Sequence, residues 1–272
     1  MYEIIEKKPQ NADVDLLEIL APMVAKNAKP GQFLIIRVDK NGERIPMTIV
    51  SHTETTVTII VQKVGYSTML LGKMQKGDAL EDVVGPLGMP TIIRPVKKVL
   101  GIAGGVGAAP LYPQLREYAS RGSSVDLIIG ARNRDHLILK DDFAAFCENI
   151  HIATDDGSIG TKGFVTDVAK RLYETETYDL VIAIGPLAMM RAVVELDKKH
   201  GLKTDVSLNP IMIDGTGMCG NCRVSIAGKT YFACVDGPDF PGDDIDFDEL
   251  LARQNSYREE EHICRIKLGD KK

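Results

Sequence analysis

The sequence predicts an α+β multidomain chain: an antiparallel β-barrel, then a doubly wound parallel α/β unit, then a small C-terminal metal-binding segment. Three observations carry this expectation. Up to about residue 95, short alternating or β-branched runs are separated by turn residues such as Pro30-Gly31 and Asn41-Gly42, the pattern of an antiparallel β unit. From Lys97 onward, apolar strands alternate with amphipathic segments, the rhythm of a parallel sheet covered by helices. Past residue 208 that rhythm gives way to glycines and cysteines. The three units are expected at 1–95, 96–208 and 209–272.

In the first unit the strand-like runs are Leu16 to Leu20, Phe33 to Val38, Met47 to Val50 and Val57 to Val61, with one short helix near Ser67 to Met74. In the second unit the strands are Val99 to Ala103, Val125 to Ile129, His151 to Ala153, Leu180 to Ile184 and Thr204 to Leu208. Helical periodicity falls near 108–121, 137–147, 165–174 and 188–199. The acidic run Asp243-Asp-Ile-Asp-Phe-Asp-Glu reads as a solvated surface, and no internal repeat is present.

Composition narrows the function classes. With 272 residues, 44% hydrophobic and 26% charged, the chain has material for a sizeable globular core. A formal net charge of -5 without a long basic run argues against nucleic acid as a partner, because neutralising phosphates needs an excess of Lys and Arg. The N-terminus mixes charges into its apolar residues and so has no signal-peptide core. The apolar stretches near 99–113 and 180–190 are broken by Gly and Pro and are too short to span a bilayer. A cytoplasmic protein without membrane insertion is expected. Five cysteines, an odd number with three of them close together, suit ligands rather than a disulfide framework.

Those cysteines carry the chemistry. Asp214-Gly-Thr-Gly-Met-Cys219-Gly-Asn-Cys222, then Cys234 after eleven residues, gives the spacing D-x4-C-x2-C-x11-C. It follows the plant-type two-iron two-sulfur pattern with an aspartate in place of the first cysteine. Thiolates are soft, strongly donating iron ligands, and Gly215, Gly217 and Gly220 permit backbone angles that bring amides close to inorganic sulfide. A zinc site of Cys219, Cys222, Cys234 and Cys264 is the competing arrangement, although zinc knuckles usually carry two paired units. Either Asp214 or Cys264 can supply the fourth ligand, and an aspartate before a glycine-rich loop is also a common turn former.

Gly104-Gly105-Val106-Gly107-Ala108-Ala109-Pro110 lies between a strand and a helix and reads G-x-G-x-x-P. Glycines there let the backbone approach a pyrophosphate, and a helix N-terminus favours its charge. A plain structural turn would have the same residues. Two further loops fall where parallel strands should end, Thr154-Asp155-Asp156-Gly157 onward and Gly185-Pro186-Leu-Ala-Met189-Met190. Ligands bind at such carboxyl ends, while methionines at a helix start also serve as core fillers. The second parallel strand ends Gly130-Ala131-Arg132, and Arg132 would suit a 2′-phosphate better than a plain ribose.

In the order of these parts the chain resembles the ferredoxin-NADP reductase superfamily. More narrowly it is similar to the branch containing the electron-transfer subunit of dihydroorotate dehydrogenase B and the small subunit of NADH-dependent reduced ferredoxin:NADP oxidoreductase. The resemblance implies FAD in the β unit, gripped by an Arg-Pro-x-Ser/Thr type segment and a Gly-x-Gly-Thr type loop. Here these read Arg44-Ile45-Pro46-Met47-Thr48 and Gly65-Tyr66-Ser67-Thr68, with Ile60, Val61 and Gln62 between them. Arg44 stands one residue further from Pro46 than the pattern has it, and Ser67 replaces a glycine. A cysteine common before the Gly-Pro pair is Ile184 in this chain. The aspartate at 214 is similar to the small subunit of the ferredoxin:NADP enzyme, whereas the dihydroorotate branch is all-cysteine.

What the resemblance implies is hydride transfer from NADH to FAD, then single electrons through a cluster at Asp214, Cys219, Cys222 and Cys234 to a larger flavoprotein subunit that carries further iron-sulfur clusters. Such a hetero-oligomer would connect indirectly to ferredoxin and NADP and would support electron bifurcation. It also points to NAD rather than NADP, against the reading of Arg132. Ring alignment, not a proton donor, is what hydride transfer needs, so no catalytic acid or base is expected. His52, His136, His151, His200 and His262 are accordingly read as structural or surface residues. The alternatives are the electron-transfer subunit of dihydroorotate dehydrogenase B and, from another class, a non-enzymatic zinc-binding protein.

Overall fold

The computed structural model describes residues 2–257, 259–260 and 262–263. The chain begins with β1 (Tyr2–Pro9), β2 (Val14–Leu20), α1 (Pro22–Ala25), β3 (Phe33–Arg37), β4 (Arg44–Thr48), β5 (Ser51–His52), β6 (Thr56–Gln62), α2 (Tyr66–Lys73), β7 (Ala79–Leu80) and β8 (Asp82–Leu87). These strands form a five-stranded sheet, β5-β6-β2-β1-β7, and a three-stranded sheet, β4-β3-β8. The barrel is therefore two antiparallel sheets joined at their corners. The chain runs straight from β4 into β5, where Ile49 N donates to Gln32 O (3.1 Å) and Val50 N to Thr58 O (2.9 Å). At the other corner, between β7 and β8, Glu81 N donates to Arg37 O (3.1 Å).

Strand alternation sorts the residues of β3 between two cores. Leu34 and Ile36 turn inward with Ile4, Leu17, Ile19 and Ile59, whereas Phe33 and Ile35 face outward into a core shared with later parts of the chain. The sequence reading misses β1 because its charges interrupt the apolar pattern. Pairing with β2 organises it, with a register shift between Ile4 and Glu6, and Ile4 is fully buried.

The next elements are β9 (Lys98–Gly104), α3 (Ala108–Ser120), β10 (Ser124–Ala131), α4 (Lys140–Phe143), β11 (Asn149–Thr154), β12 (Thr161–Lys162), α5 (Val165–Leu172), β13 (Leu180–Ile184), α6 (Leu187–Lys199) and β14 (Thr204–Ser207). The sheet order is β12-β11-β10-β9-β13-β14, parallel throughout, with one antiparallel strand, β17 (Asp239–Pro241), added beside β14. Strand order reverses between β9 and β13, which makes that crevice the topological switch point. Helices α3 and α4 cover one face through Ala108, Leu111, Leu115 and Phe143. Helices α5 and α6 cover the other through Val165, Val168, Leu187 and Val193. Burial on both faces explains why β9 and β13 read as continuous apolar runs. The segment 137–147, expected to be helical, has only the short α4: Leu139 takes a left-handed φ of 57°, which interrupts any longer helix.

The chain ends with the hairpin β15 (Arg223–Ile226) and β16 (Lys229–Phe232), then β17 and α7 (Phe247–Gln254). The acidic run faces solvent as expected from its charge, with Asp243, Asp244, Asp246 and Asp248 exposed, and it also organises the next helix. Asp246 accepts a hydrogen bond from Glu249 N (2.8 Å) and caps α7, and Asp248 and Glu249 lie in the first turn, where the helix dipole favours negative charge. Asp248 also pairs with Arg191 of α6 at 2.7 Å. Among the described residues no helix is long and apolar enough to cross a membrane.

Candidate functional site

The loop between β14 and β15 carries Asp214, Cys219 and Cys222, Cys234 follows β16, and the four expected ligands fall into two pairs. The Sγ atoms of Cys222 and Cys234 are 3.2 Å apart, and both residues are buried. Asp214 and Cys219 form the second pair at the rim, where Cys219 is exposed. The Asp214 carboxylate accepts from Thr216 N and Cys219 N, each at 2.8 Å, and also bonds the Cys219 thiol. These amides hold its carboxyl below the ordinary aspartate range. The turn-forming role leaves Asp214 free to act as a ligand as well, since a carboxylate has more acceptor sites than two amides fill. Cys264 lies outside the described residues.

Chemistry tests whether these residues suit a cluster. Burial and the adjacent Cys222 push the Cys234 thiol up to about 12, so a thiolate there requires a cationic metal. The Gly217 amide donates toward Cys234, the donor a cluster sulfur wants. No group of three metal-ligating side chains surrounds a single point among the described residues. In a two-iron cluster each iron takes two protein ligands, which is the arrangement of the Cys222–Cys234 and Asp214–Cys219 pairs. The donor set therefore fits a two-iron two-sulfur group.

The loop is seated on the barrel. Gly215, at φ 75°, leaves no room for a side chain: an added Cβ would lie 2.8 Å from Ile35 Cγ1 and 3.1 Å from Leu87 Cδ1. Gly215→Ala should therefore cost about 1–3 kcal/mol through backbone strain, read as a lowered melting temperature. Across β3 and β4 the register pairs Ile35 with Pro46, Phe33 with Thr48 and Arg37 with Arg44. Pairs directly opposite share a face, so Arg44, Pro46 and Thr48 lie on the side of the sheet against which Gly215 packs. The extra residue between Arg44 and Pro46 is what puts guanidinium, ring and hydroxyl on one side by the period of two; Ile45 and Met47 face the barrel core.

Beside that face stands the N-terminus of α2. Gly65 is its N-cap, and Thr68 Oγ1 accepts from Gly65 N (2.9 Å) and Val64 N (3.1 Å). Ser67 Oγ donates to Glu43 Oε2 at 3.0 Å. Ile60 is buried against the α3 side of the nucleotide unit and Val61 in the barrel core, leaving only their backbone to meet a ligand, while Gln62 is partly exposed. Helix amides next to two arginines on one face make a cradle that fits a dinucleotide diphosphate.

At the switch point Gly104 ends β9 and Gly185 follows β13, and the two backbones touch: an added Cβ on Gly185 would be 3.0 Å from Gly104 Cα. The Met189 side chain lies across both, with Sδ only 2.4 Å from a Cβ placed on Gly104, and Pro186 closes the edge. Gly105 is left-handed at φ 55° with open space before it. Gly107 and Ala108 are buried and Pro110, in the first turn of α3, needs no amide partner. Met190 is fully buried in the core, so only Met189 faces the crevice. At the ends of β10 and β11, Arg132, Asp155, Asp156 and Gly157 are exposed in adjoining loops joined by Asp155 N to Ala131 O (3.2 Å) and Asp156 N to Arg132 O (3.3 Å).

Two further residues escape sequence reasoning. Arg37 sits directly opposite Arg44, and its Nε is buried without a hydrogen-bond partner among the described residues; period two from Phe33 would have placed it there. Phe164, 70% exposed at the N-cap of α5, presents a bare ring near the carboxyl edge of the sheet, which no sequence pattern distinguishes from a core aromatic.

The family described as the iron-sulfur cluster binding domain of dihydroorotate dehydrogenase B matches residues 209–246, and the oxidoreductase NAD-binding domain matches residues 102–195. A Thermotoga maritima protein named dihydroorotate dehydrogenase B (NAD(+)), electron transfer subunit homolog is 44% identical over 265 residues, covering 97% of this chain and 94% of that protein. The Fusobacterium nucleatum dihydroorotate dehydrogenase B (NAD(+)), electron transfer subunit is 32% identical, covering 90% and 97%. A chain in the solved structure of NADH-dependent reduced ferredoxin-NADP oxidoreductase superposes with a TM-score of 0.94 at 41% identity, covering 98% of each chain.

Proposed function

The chain belongs to the family of dihydroorotate dehydrogenase B electron-transfer subunits and their homologues, and from that membership we propose that it passes electrons from NADH, through FAD and a two-iron two-sulfur cluster, to a larger flavoprotein partner. It is an oxidoreductase subunit acting on NAD(H). The observation that carries the route is the shared sheet face: Arg44, Pro46 and Thr48 lie beside Ile35, which touches Gly215 in the loop of Asp214, Cys219 and Cys222. The units 1–95, 96–208 and 209–272 serve the flavin, the nicotinamide dinucleotide and the cluster in turn.

Bound there, FAD supplies the conversion between a hydride pair and single electrons. The chain's own residues bind and orient. Arg44 and Arg37 with the α2 amides at Gly65, Ser67 and Thr68 would hold the flavin diphosphate, and Pro46, Thr48 and the backbone of Ile60–Gln62 would flank the ring. Gly104, Gly105, Gly107 and the amides opening α3 would hold the pyrophosphate of NADH, with Met189 and Pro186 walling the crevice. Asp155 and Asp156 would accept ribose hydroxyls and repel a 2′-phosphate, which outweighs the exposed Arg132 and favours NADH. Asp214, Cys219, Cys222 and Cys234 would hold the irons in two pairs.

Asp214 in place of a thiolate ligand favours a ferredoxin:NADP-type assembly, with bifurcation to ferredoxin and NADP in a cytoplasmic hetero-oligomer, over a dihydroorotate-oxidising one. The test is anaerobic purification with whatever co-purifies. NADH should bleach the flavin faster than NADPH, and orotate should not be reduced. A colourless, iron-free chain after reconstitution would end this reading.

A further inference from the structure

Far from the glycine loops, one carboxylate joins three parts of the molecule. Asp239 opens β17, the strand that leads from Cys234 back to the nucleotide sheet, where it pairs with Ser207 of β14. Its Oδ2 accepts from Thr91 Oγ1 at 2.6 Å, on the segment leaving the barrel. Gln114 Nε2, on α3, donates to both carboxylate oxygens at 3.2 Å, and the Ser207 hydroxyl is a further donor. The barrel closes the junction from its own side: a Cβ on Gly31, φ 84°, would lie 2.1 Å from Thr91 Oγ1 and 2.9 Å from Asp239 Oδ2. Helix α3 is the one whose first turn forms the nucleotide loop. The charged and titratable neighbours are Asp205, bonded to Arg94 at 2.8 Å, and Tyr118 of α3, whose hydroxyl faces Ile92 O and Arg94 N. Among the described residues every direct partner of Asp239 is a neutral donor, the nearby cation Arg94 being bonded to Asp205 instead, and its contacts reach the barrel, the nucleotide unit and the cluster segment at once.

We propose that Asp239 is a positioning residue for the flavin-to-cluster step, holding the cluster segment in register against the barrel and the nucleotide-binding helix. The inference rests on the function proposed above. Ionised, the carboxylate satisfies the donors on Thr91, Gln114 and Ser207; protonated, one of its oxygens turns from acceptor to donor, and the pattern that holds those three groups has to rearrange. Dense packing, with repulsion from Asp205, pushes its carboxyl up to about 6 despite those donors. The sign for stability follows from linkage. A raised folded-state value means this group's stabilisation is complete below the ordinary aspartate range and is lost as pH rises through about 6. A merely structural role therefore follows stability and is strongest in acid, whereas a positioning role fails in acid.

The experiment is anaerobic stopped-flow on the purified complex with its flavin and cluster, mixing with NADH and following the flavin and cluster bands separately. Asp239→Asn, and independently Thr91→Val, should leave the flavin phase unchanged and slow the cluster phase about 10- to 100-fold, and without NADH both should speed amide hydrogen exchange in 209–246 while leaving that of 2–62 unchanged. In the wild type the cluster phase should slow as pH falls through about 6, and in Asp239→Asn it should be slow and flat across that range. Unchanged cluster phases in both variants, or flavin and cluster phases slowed equally, overturn the role of Asp239. A wild-type complex without any cluster phase would instead bring down the functional reading itself, and this inference with it.

Discussion

Replacing Cys234 with alanine is expected to abolish the cluster: iron falls to background and the cluster absorption disappears, while the flavin stays bound and is still bleached by NADH. The asymmetry of the ligand set gives the reason. Cys222 and Cys234 are the enclosed pair, 3.2 Å apart, so losing one leaves its iron with a single protein ligand. The Asp214 and Cys219 pair is open to solvent, and the loss there is graded. Asp214→Ala removes a ligand together with the acceptor for the amides of Thr216 and Cys219, so it should shift the native spectrum and loosen the loop. Cys264→Ala should leave the spectrum intact. A native spectrum in Asp214→Ala with its loss in Cys264→Ala would assign the fourth ligand the other way.

The motif that carries these ligands is readable because spacing in a loop survives any packing around it. D-x4-C-x2-C-x11-C names the residues, and G-x-G-x-x-P between an apolar strand and a helix names the nucleotide loop. What no local pattern holds is the arrangement between distant segments. Gly215 reads as a turn glycine, and only the folded chain presses it onto Ile35 and Leu87, placing the cluster loop by the flavin segment. Met189 and Met190 are indistinguishable in sequence; the helix start buries one and lays the other over Gly104 and Gly185. Arg37 belongs to an apolar run, and its kinship with Arg44 exists only across a strand pair. Asp239 reads as one more acid among many, since its partners Thr91, Gln114 and Ser207 come from separate parts of the chain. The strands β1, β15, β16 and β17 escaped for a related reason: short, charged or edge strands owe their form to a neighbour rather than to their own residues.

Gly107→Ala should remove NADH-dependent reduction almost completely while sparing both chromophores. The cause is steric rather than conformational. Gly107 has φ -58°, which alanine adopts readily, but its Cβ would stand 2.2 Å from the carbonyl oxygen of Ile184 and 2.9 Å from Gly185 Cα. All of that obstruction is backbone at the end of β13, so relief requires separating the start of α3 from its neighbouring strand. Overpacking of this kind costs about 1–3 kcal/mol, which a domain of ordinary stability survives. The crevice does not survive it, because the amides opening α3 and the floor of Gly104 and Gly185 move apart, and displacement of about 1 Å at a positioning element is worth about 100-fold in rate. Gly122→Ala, just past the other end of α3, is the matched control. There the backbone is left-handed at φ 88° and nothing lies within reach of a new Cβ, so strain of about 1–2 kcal/mol is the only penalty and NADH should still bleach the flavin. If Gly107→Ala turns over NADH as well as Gly122→Ala does, the pyridine dinucleotide does not enter between β9 and β13.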